Sequence, residues 1–388
     1  MITEVNSFDK IIKYLEDKKI FVDLFVNDED DKMFNFRFPR EVEDIIFSLK
    51  QLDGFASEIE TLEYSKKYVR TKCKVQFPIF TDDWLDTSLA SVDFKFKNEE
   101  YTIEIIQRPL LLAIANVKLG FYSKFAGPLT TYCAIEIRSK KESEIDLEYC
   151  QGLVMSFIYE YYQVTNKVLE IVELHNFDAD YYKYDHDEDD ETKSIIVSTL
   201  IQYNKAIDLY LEAAKTADDE ICFLYYYKVI EHFSPKIAKL KTYDLLLKKL
   251  DTIKYAKITD NDLNNIINIS DSLRKSKSDS DLVKTVLSCG IDIVSLFQFL
   301  PQTIQMALMK SIKLNPNALN YDLSQDYIDT IIQEIGKWLY STRNHIVHAK
   351  TNYKSNNYEC NDEDLKQMNV FLCKATYQII KWNDNLTI

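Results

Sequence analysis

Hydrophobic and polar positions change rhythm partway along the chain. Near the start, DKIIKYLEDKK reads as a short helix. KIFVDLFVN and MFNFRF then alternate apolar and polar positions on either side of NDEDD, the pattern of a β-hairpin. EVEDIIFSLKQL predicts a helix. Ser91–Gln107, SVDFKFKNEEYTIEIIQ, predicts a strand pair with Val92, Phe94 and Phe96 on one face and the turn at Asn98 and Glu99. TYCAIEIRS predicts another strand, and Ile145–Gln163 sets Cys150, Leu153, Val154, Phe157, Ile158 and Tyr161 at helical spacing.

Beyond FDADYYKYDHDEDDETKS, Phe177 to Ser194, the period becomes 3.6 almost throughout. Helices are expected over Ile195–Lys215 and Asp219–Phe233, the second capped by Asp218, then over KTYDLLLKKLDTI, around NNIINISDSLRK and over DLVKTVLSCGIDIVSLFQFL. Ile328, Ile331, Ile332, Ile335, Trp338 and Leu339 form an apolar stripe. The last helix carries Leu365, Met368, Leu372, Ala375, Ile379 and Trp382 behind an Asn361 cap and an acidic first turn that suits the helix dipole. The acidic stretch, eight carboxylates with no apolar period, reads as a solvated charge run. The expected fold class is therefore α+β. An α+β domain spans 1–177, an acidic linker 178–193, and an all-α domain 194–388, with no repeat period that would make a solenoid.

Composition agrees. Six Gly and seven Pro in 388 residues exclude collagen-like, low-complexity and short-turn-rich all-β chains, and 46 % apolar residues exclude global disorder. The seven cysteines lie at least thirteen positions apart, with no CxxC pair, which with the absence of a leader pattern favours reduced thiols and a cytoplasmic address. The longest apolar run, from Ile291, is broken by Asp292, Gln298, Pro301, Gln302 and Gln305, so no membrane segment is expected. The net charge of −15 looks hostile to nucleic acid until it is divided. Residues 194–388 hold 23 basic and 23 acidic groups, so all the excess acid lies in the first half. A local phosphate-binding patch on the second half remains open.

The first half shows no Gly-rich phosphate loop and no Ser/His/Asp constellation. The second concentrates its chemistry in LYSTRNHIVHAK, which holds Arg343, Asn344, His345 and His348, two of the chain's five histidines beside one of its seven arginines. His345 and His348 could share a helical face as an HxxH metal pair, but no third ligand lies nearby in sequence. Histidine can serve as acid or base near neutral pH, and a guanidinium matches phosphate oxygens. On a continuous helix Arg343 and His348 would stand about 140° apart, so the helix is expected to end or bend between them. Glu231 lies seven residues after Leu224, on an apolar side of its helix. It reads either as a buried carboxylate holding Arg343 or as a solvent-facing neighbour of Lys228. Lys236, Lys239, Lys241, Lys248, Lys249, Lys254 and Lys257, opposed only by Asp244 and Asp251, form the best phosphate-facing stretch or else an ordinary solvated face. The tyrosines at 225–227 and in YEYY at 159–162 read as packing residues or as base-stacking ones.

Arg343-Asn-His-Ile-Val-His348 resembles the Arg-Asn-x3-His signature of HEPN ribonucleases, the small helical domains of toxin and antiviral proteins. FLYYYKVIEHF, with Glu231, resembles the second helix of their Apea-like branch. The resemblance covers Ile195–Ile388. It implies a metal-independent endoribonuclease without cofactor, of a toxin or antiphage abortive-infection type, cleaving RNA by attack of its 2′-hydroxyl. Arg343, Asn344 and His348 would be catalytic, and Glu231 and His345 supporting. A homodimer or higher homo-oligomer would supply the second acid or base, and a phage-derived or regulatory protein would act as trigger through residues 1–177. Two alternatives stand beside it. One is a catalytically inactive HEPN-like binding, antitoxin or assembly module, and the other a metal-dependent hydrolase using HxxH.

Overall fold

The computed structural model describes residues 2–27, 33–80, 91–96, 99–122, 127–130, 132–141, 143–175, 197, 199–254, 258–274, 278–313, 319–348 and 357–386. The chain is α+β and divides into two compact units, Met1–Ile201 and Gln202–Ile388. The expected linker, 178–193, lies outside the described residues.

In the first unit, helix α1 (Ile2–Lys18) leads into an antiparallel sheet of β1 (Asp23–Val26), β2 (Met33–Arg37) and β3 (Ile45–Ser48), in that order. The expected hairpin is present, with Val26 opposite Phe34. The helix expected over EVEDIIFSLKQL is corrected: Ile45–Ser48 pairs with β2, and α2 (Leu49–Ile59) begins only afterwards. Two isoleucines and a phenylalanine in a row suit an extended strand, and Gln51 Oε1 accepts the Ser48 N–H at 2.9 Å to start the helix.

A second antiparallel sheet contains β4 (Glu63–Tyr64), β5 (Val69–Arg70), β6 (Lys74–Phe80), β7 (Ser91–Phe96), β8 (Glu99–Ile106), β9 (Cys133–Ser139) and β10 (Glu170–Ile171). Its order is β4-β5-β6-β9-β8-β7, with β10 on β6. Phe96 faces Glu99, so Glu99 belongs to the strand and not to the turn where the sequence put it. Alternation gives this sheet two unlike faces. Val75, Phe77, Ile103, Ile135 and Ile137 fill one, while Lys74, Gln76, Glu104, Glu136 and Arg138 stand on the other. Helix α3 (Leu110–Leu119) is buried from Leu111 to Val117, in a core shared with α1, α2 and the first sheet. In α4 (Leu147–Thr165), Tyr149 rests on Tyr101 of β8 with 6.3 Å between rings, and Tyr159 and Tyr161 are fully buried packing residues.

Every described element of the second unit is helical: α5 (Lys205–Lys215), α6 (Asp219–Ile253), α7 (Asp260–Arg274), α8 (Asp279–Gly290), α9 (Ile293–Leu296) with a 3-10 turn at Phe297–Phe299, α10 (Gln302–Ile312), α11 (Gln325–His348) and α12 (Asp362–Asn385). Three boundaries differ from the sequence pattern. α5 starts at Lys205 and not Ile195, because the Asn204 side chain accepts the Ala206 N–H as its cap. The two helices expected around Pro235 are one, α6, whose 35 residues run through that proline. DLVKTVLSCGIDIVSLFQFL breaks after Gly290 into two helices bent by 98°. A Cβ at Gly290 would stand 2.8 Å from Ile379 Cγ1, so the bare glycine lets α8 approach α12 closely.

α6 changes character along its length. Phe223, Tyr226, Tyr227, Ile230, Phe233 and Ile237 are buried against α5, α8, α11 and α12, whereas Leu240, Tyr243, Leu247 and Leu250 are exposed beside α7. Pro235 has no N–H, which leaves the carbonyl of Glu231 without its helical donor. Among the described residues no single helix is long and apolar enough to cross a membrane.

Candidate active site

α11 carries the Arg-Asn-x3-His sequence on its last two turns. Its apolar stripe buries Ile331, Ile332, Ile335 and Leu339 against α8 and α6, which leaves the following turn at the edge of the helical core. Arg343 is half-buried there, and its Nη1 donates to Asn344 Oδ1 at 3.1 Å. Glu231, half-buried on α6, lies within electrostatic range of Arg343 without forming an ion pair with it, and Asp279, in the first turn of α8, lies within range of Glu231. Burial raises the Glu231 carboxyl above its ordinary range; the positive charge of Arg343 pulls the other way, Asp279 adds to the rise, and Lys228 opposes it. Tyr227, 1 % exposed and one turn before Glu231, also titrates above its ordinary value, first through burial and then through Glu231. Its hydroxyl is buried without a hydrogen-bond partner.

The expected bend between Arg343 and His348 is corrected: α11 stays helical through His348. The packing explains it. Residues 357–361 fold back along α11 and secure its last turns, with Tyr358 edge-on to Trp338 at 5.6 Å and the Cys360 N–H donating to the buried Thr342 Oγ1 at 3.1 Å. His345 Nδ1 lies 3.3 Å from Glu359 Oε2 in the same segment. His348 is exposed on the final turn. Five residues of regular helix separate it from Arg343 by about 140° and about 7.5 Å along the axis. The arrangement thus offers a permanent cation with an amide at its side, a carboxylate and a phenol behind it, and an imidazole further round the helix.

Of the sequence-derived site, Arg343 and Asn344 are in contact and Glu231 lies within electrostatic range of Arg343, while His345 and His348 stand on other sectors of α11. Tyr227 and Asp279 were missed. Tyr227 sits one helical turn from Glu231, a signal hidden because tyrosines are so common here. Asp279 reads from sequence as an ordinary partner of the helix dipole. Among the described residues no group of three or more His, Cys, Asp or Glu is arranged to hold a metal ion.

The lysine stretch is largely engaged. Lys236 donates to Asn383, Lys239 lies over the Tyr243 ring at 5.4 Å, and Lys248 pairs with Asp244 at 2.6 Å. Lys249 pairs with Asp262 at 2.7 Å, a bond that lowers the Asp262 carboxyl to about 2. Lys254 lies at the end of α6. The Lys241 side chain and Lys257 fall outside the described residues. Tyr226 and Tyr227 are core residues, whereas Tyr225 is half-buried with the Lys228 ammonium 5.1 Å from its ring centre. No protein-family model matches this chain, and comparison with curated proteins and with solved structures finds no match.

Proposed function

We propose that residues 194–388 are a HEPN-type, metal-independent endoribonuclease of a toxin or antiphage abortive-infection kind, working in the cytoplasm as a homodimer or larger homo-oligomer. Residues 1–177 sense or regulate, and a phage-derived or regulatory protein is the trigger. The observation that supports this reading best is that Glu231 on α6 lies within electrostatic range of Arg343 on α11, whose guanidinium bonds Asn344. The two segments that carry the resemblance thus share one locus although far apart in sequence.

The chemistry follows from the side chains. Arg343 takes the non-bridging oxygens of the scissile phosphate and stabilises the charge of the phosphorane. A histidine accepts the 2′-hydroxyl proton, and an acid returns one to the 5′-oxygen. One α11 does not aim Arg343 and His348 at the same phosphate. A two-fold pairing of α11 ends lets one copy's Arg343 work with the other's His348 and provides two imidazoles for the two proton transfers.

Purified protein incubated with total RNA in EDTA, followed by mapping of the ends, tests the reading. Cleavage leaving 2′,3′-cyclic phosphates is expected. Arg343→Ala and His348→Ala each lose about a hundredfold or more, the loss typical of electrostatic and proton-transfer groups, with folding intact. His345→Ala is milder. Cleavage lost on chelation and restored by zinc or manganese would favour the HxxH hydrolase. RNA binding without cleavage, with Arg343→Ala mainly destabilising, would favour the binding module.

A further inference from the structure

The polar face of the second sheet is partly roofed. α2, the end of β8 and the start of α3 close over Gln76 and Glu136 to leave a cavity of about 460 Å³ in the first unit. Its floor is a buried polar network. Glu136, 4 % exposed, accepts from Gln76 Nε2 at 2.7 Å through one oxygen and from Arg138 Nη2 at 2.7 Å through the other. Lys74 and Glu58 pair at one side. Both acids of the lining hold a cation, Arg138 also bonds Glu104 at 2.8 Å, and Arg108 is the third cation of the wall.

Two features of the wall ask for an anion, and a third keeps it open. Arg108 Nε is wholly buried and has no hydrogen-bond partner, while its Nη1 reaches Glu43, a largely exposed residue, at 3.2 Å. The N-terminus of the ten-residue α3 opens here with Pro109 in the cap position and no capping side chain. Gln76 Oε1 takes the Leu112 N–H at 3.1 Å, and the N–H groups of Leu110 and Leu111, at the cavity wall, are not bonded to any described residue. Gly54 stands inside α2, where glycine weakens a helix, and a Cβ there would meet nothing within 4 Å. The bare position keeps that side of the cavity open. Phe47, Phe55 and Pro109 supply flat apolar walls.

We infer that this cavity binds a small phosphate-bearing organic anion of the size of a nucleoside monophosphate. Its phosphate sits between Arg108 and the α3 N-terminus, and its flat apolar part lies against the phenylalanines. The volume lies in the range of about 300–1,000 Å³ usual for small-molecule sites. The site belongs to the first unit and stands independently of the ribonuclease reading.

Calorimetric titration of the full chain with adenosine monophosphate, inorganic phosphate and adenosine tests it. The monophosphate is expected to bind saturably, phosphate more weakly, and adenosine least. Arg108 has φ +52°, so Arg108→Gly removes the guanidinium while relieving backbone strain. It should weaken the monophosphate by about tenfold or more, the size of a lost charge-assisted hydrogen bond, with the melting temperature unchanged or raised. Gly54→Phe, which fills the open side, should abolish binding in a folded protein. No saturable binding of monophosphate or phosphate to the wild type would overturn the proposal, as would wild-type affinity in both variants.

Discussion

The approach of α8 to α12 at Gly290 allows a quantitative test that also reaches the candidate site. In Gly290→Ala the new methyl meets Ile379 Cγ1 at 2.8 Å, and Ile379 is fully buried with its own Cα and Cβ at 3.4 Å. An extra methyl forced into a packed core costs about 1–3 kcal/mol, whereas alanine in place of a helical glycine returns at most about 1 kcal/mol, less at a helix end. The net expectation is a loss of up to about 3 kcal/mol in the unfolding of the second unit, measured by urea titration. In an Ile379→Ala background the obstructing atom is gone, so the same substitution should become neutral or stabilising, a coupling of about 1–3 kcal/mol in the double-mutant cycle. Asp279 on α8 lies within electrostatic range of Glu231, so on the proposed ribonuclease reading Gly290→Ala should change RNA cleavage and the double variant should restore it. Equal effects of Gly290→Ala in the two backgrounds would refute the argument.

Other expectations are more local. Thr342→Val leaves the Cys360 N–H buried without an acceptor, so hydrogen exchange of that amide should speed up by at least about tenfold, while Thr342→Ser should preserve protection. Tyr227→Phe deletes a buried hydroxyl that has no partner and should be neutral or stabilising by up to about 1 kcal/mol in thermal unfolding. Glu231 binds its proton more tightly in the folded state than in the unfolded chain, so its contribution is complete below the ordinary carboxylate value of about 4.3 and is lost as pH rises through the raised folded value. Glu231→Gln should accordingly gain stability relative to wild type as pH increases across that window; a constant difference at every pH would contradict this.

Long-period signals were legible in the sequence and local contests were not. The β1–β2 hairpin, the β7–β8 pair and α12 with its Asn361 cap follow from alternation, helical spacing and capping chemistry, each carried by many residues. The segment Ile45–Ser48 failed because three apolar residues beside a helix share both periods, and pairing with β2 decided the outcome. The break expected between Phe233 and Lys241, a stretch that holds Pro235, erred in the opposite direction. A proline suggests a stop, yet burial of Phe233 and Ile237 on either side carried α6 through it. At the candidate site, Arg343 and His348 were visible as rare residue types in one short run, with Asn344 beside the arginine. Tyr227 and Asp279 join them only through the packing of α6 and α8 against α11, a long-range fact with no periodic trace. The cavity in the first unit was equally silent, because its residues come from α2, β6, β9 and the α3 entrance, with no spacing to mark them.

One helix with two surroundings should not open all at once. Up to Ile237, α6 is locked in the bundle, and its amides should exchange with solvent only when the whole second unit unfolds. Past Leu240 its apolar side chains face water, with α7 as the neighbour, so that stretch should melt and re-form as a separate cooperative segment. Ile237, 1 % exposed, marks the stopping place of such a front, because melting past it would strip a buried side chain from the bundle. The outer half can then come and go while Glu231, inside the locked part, stays with the bundle.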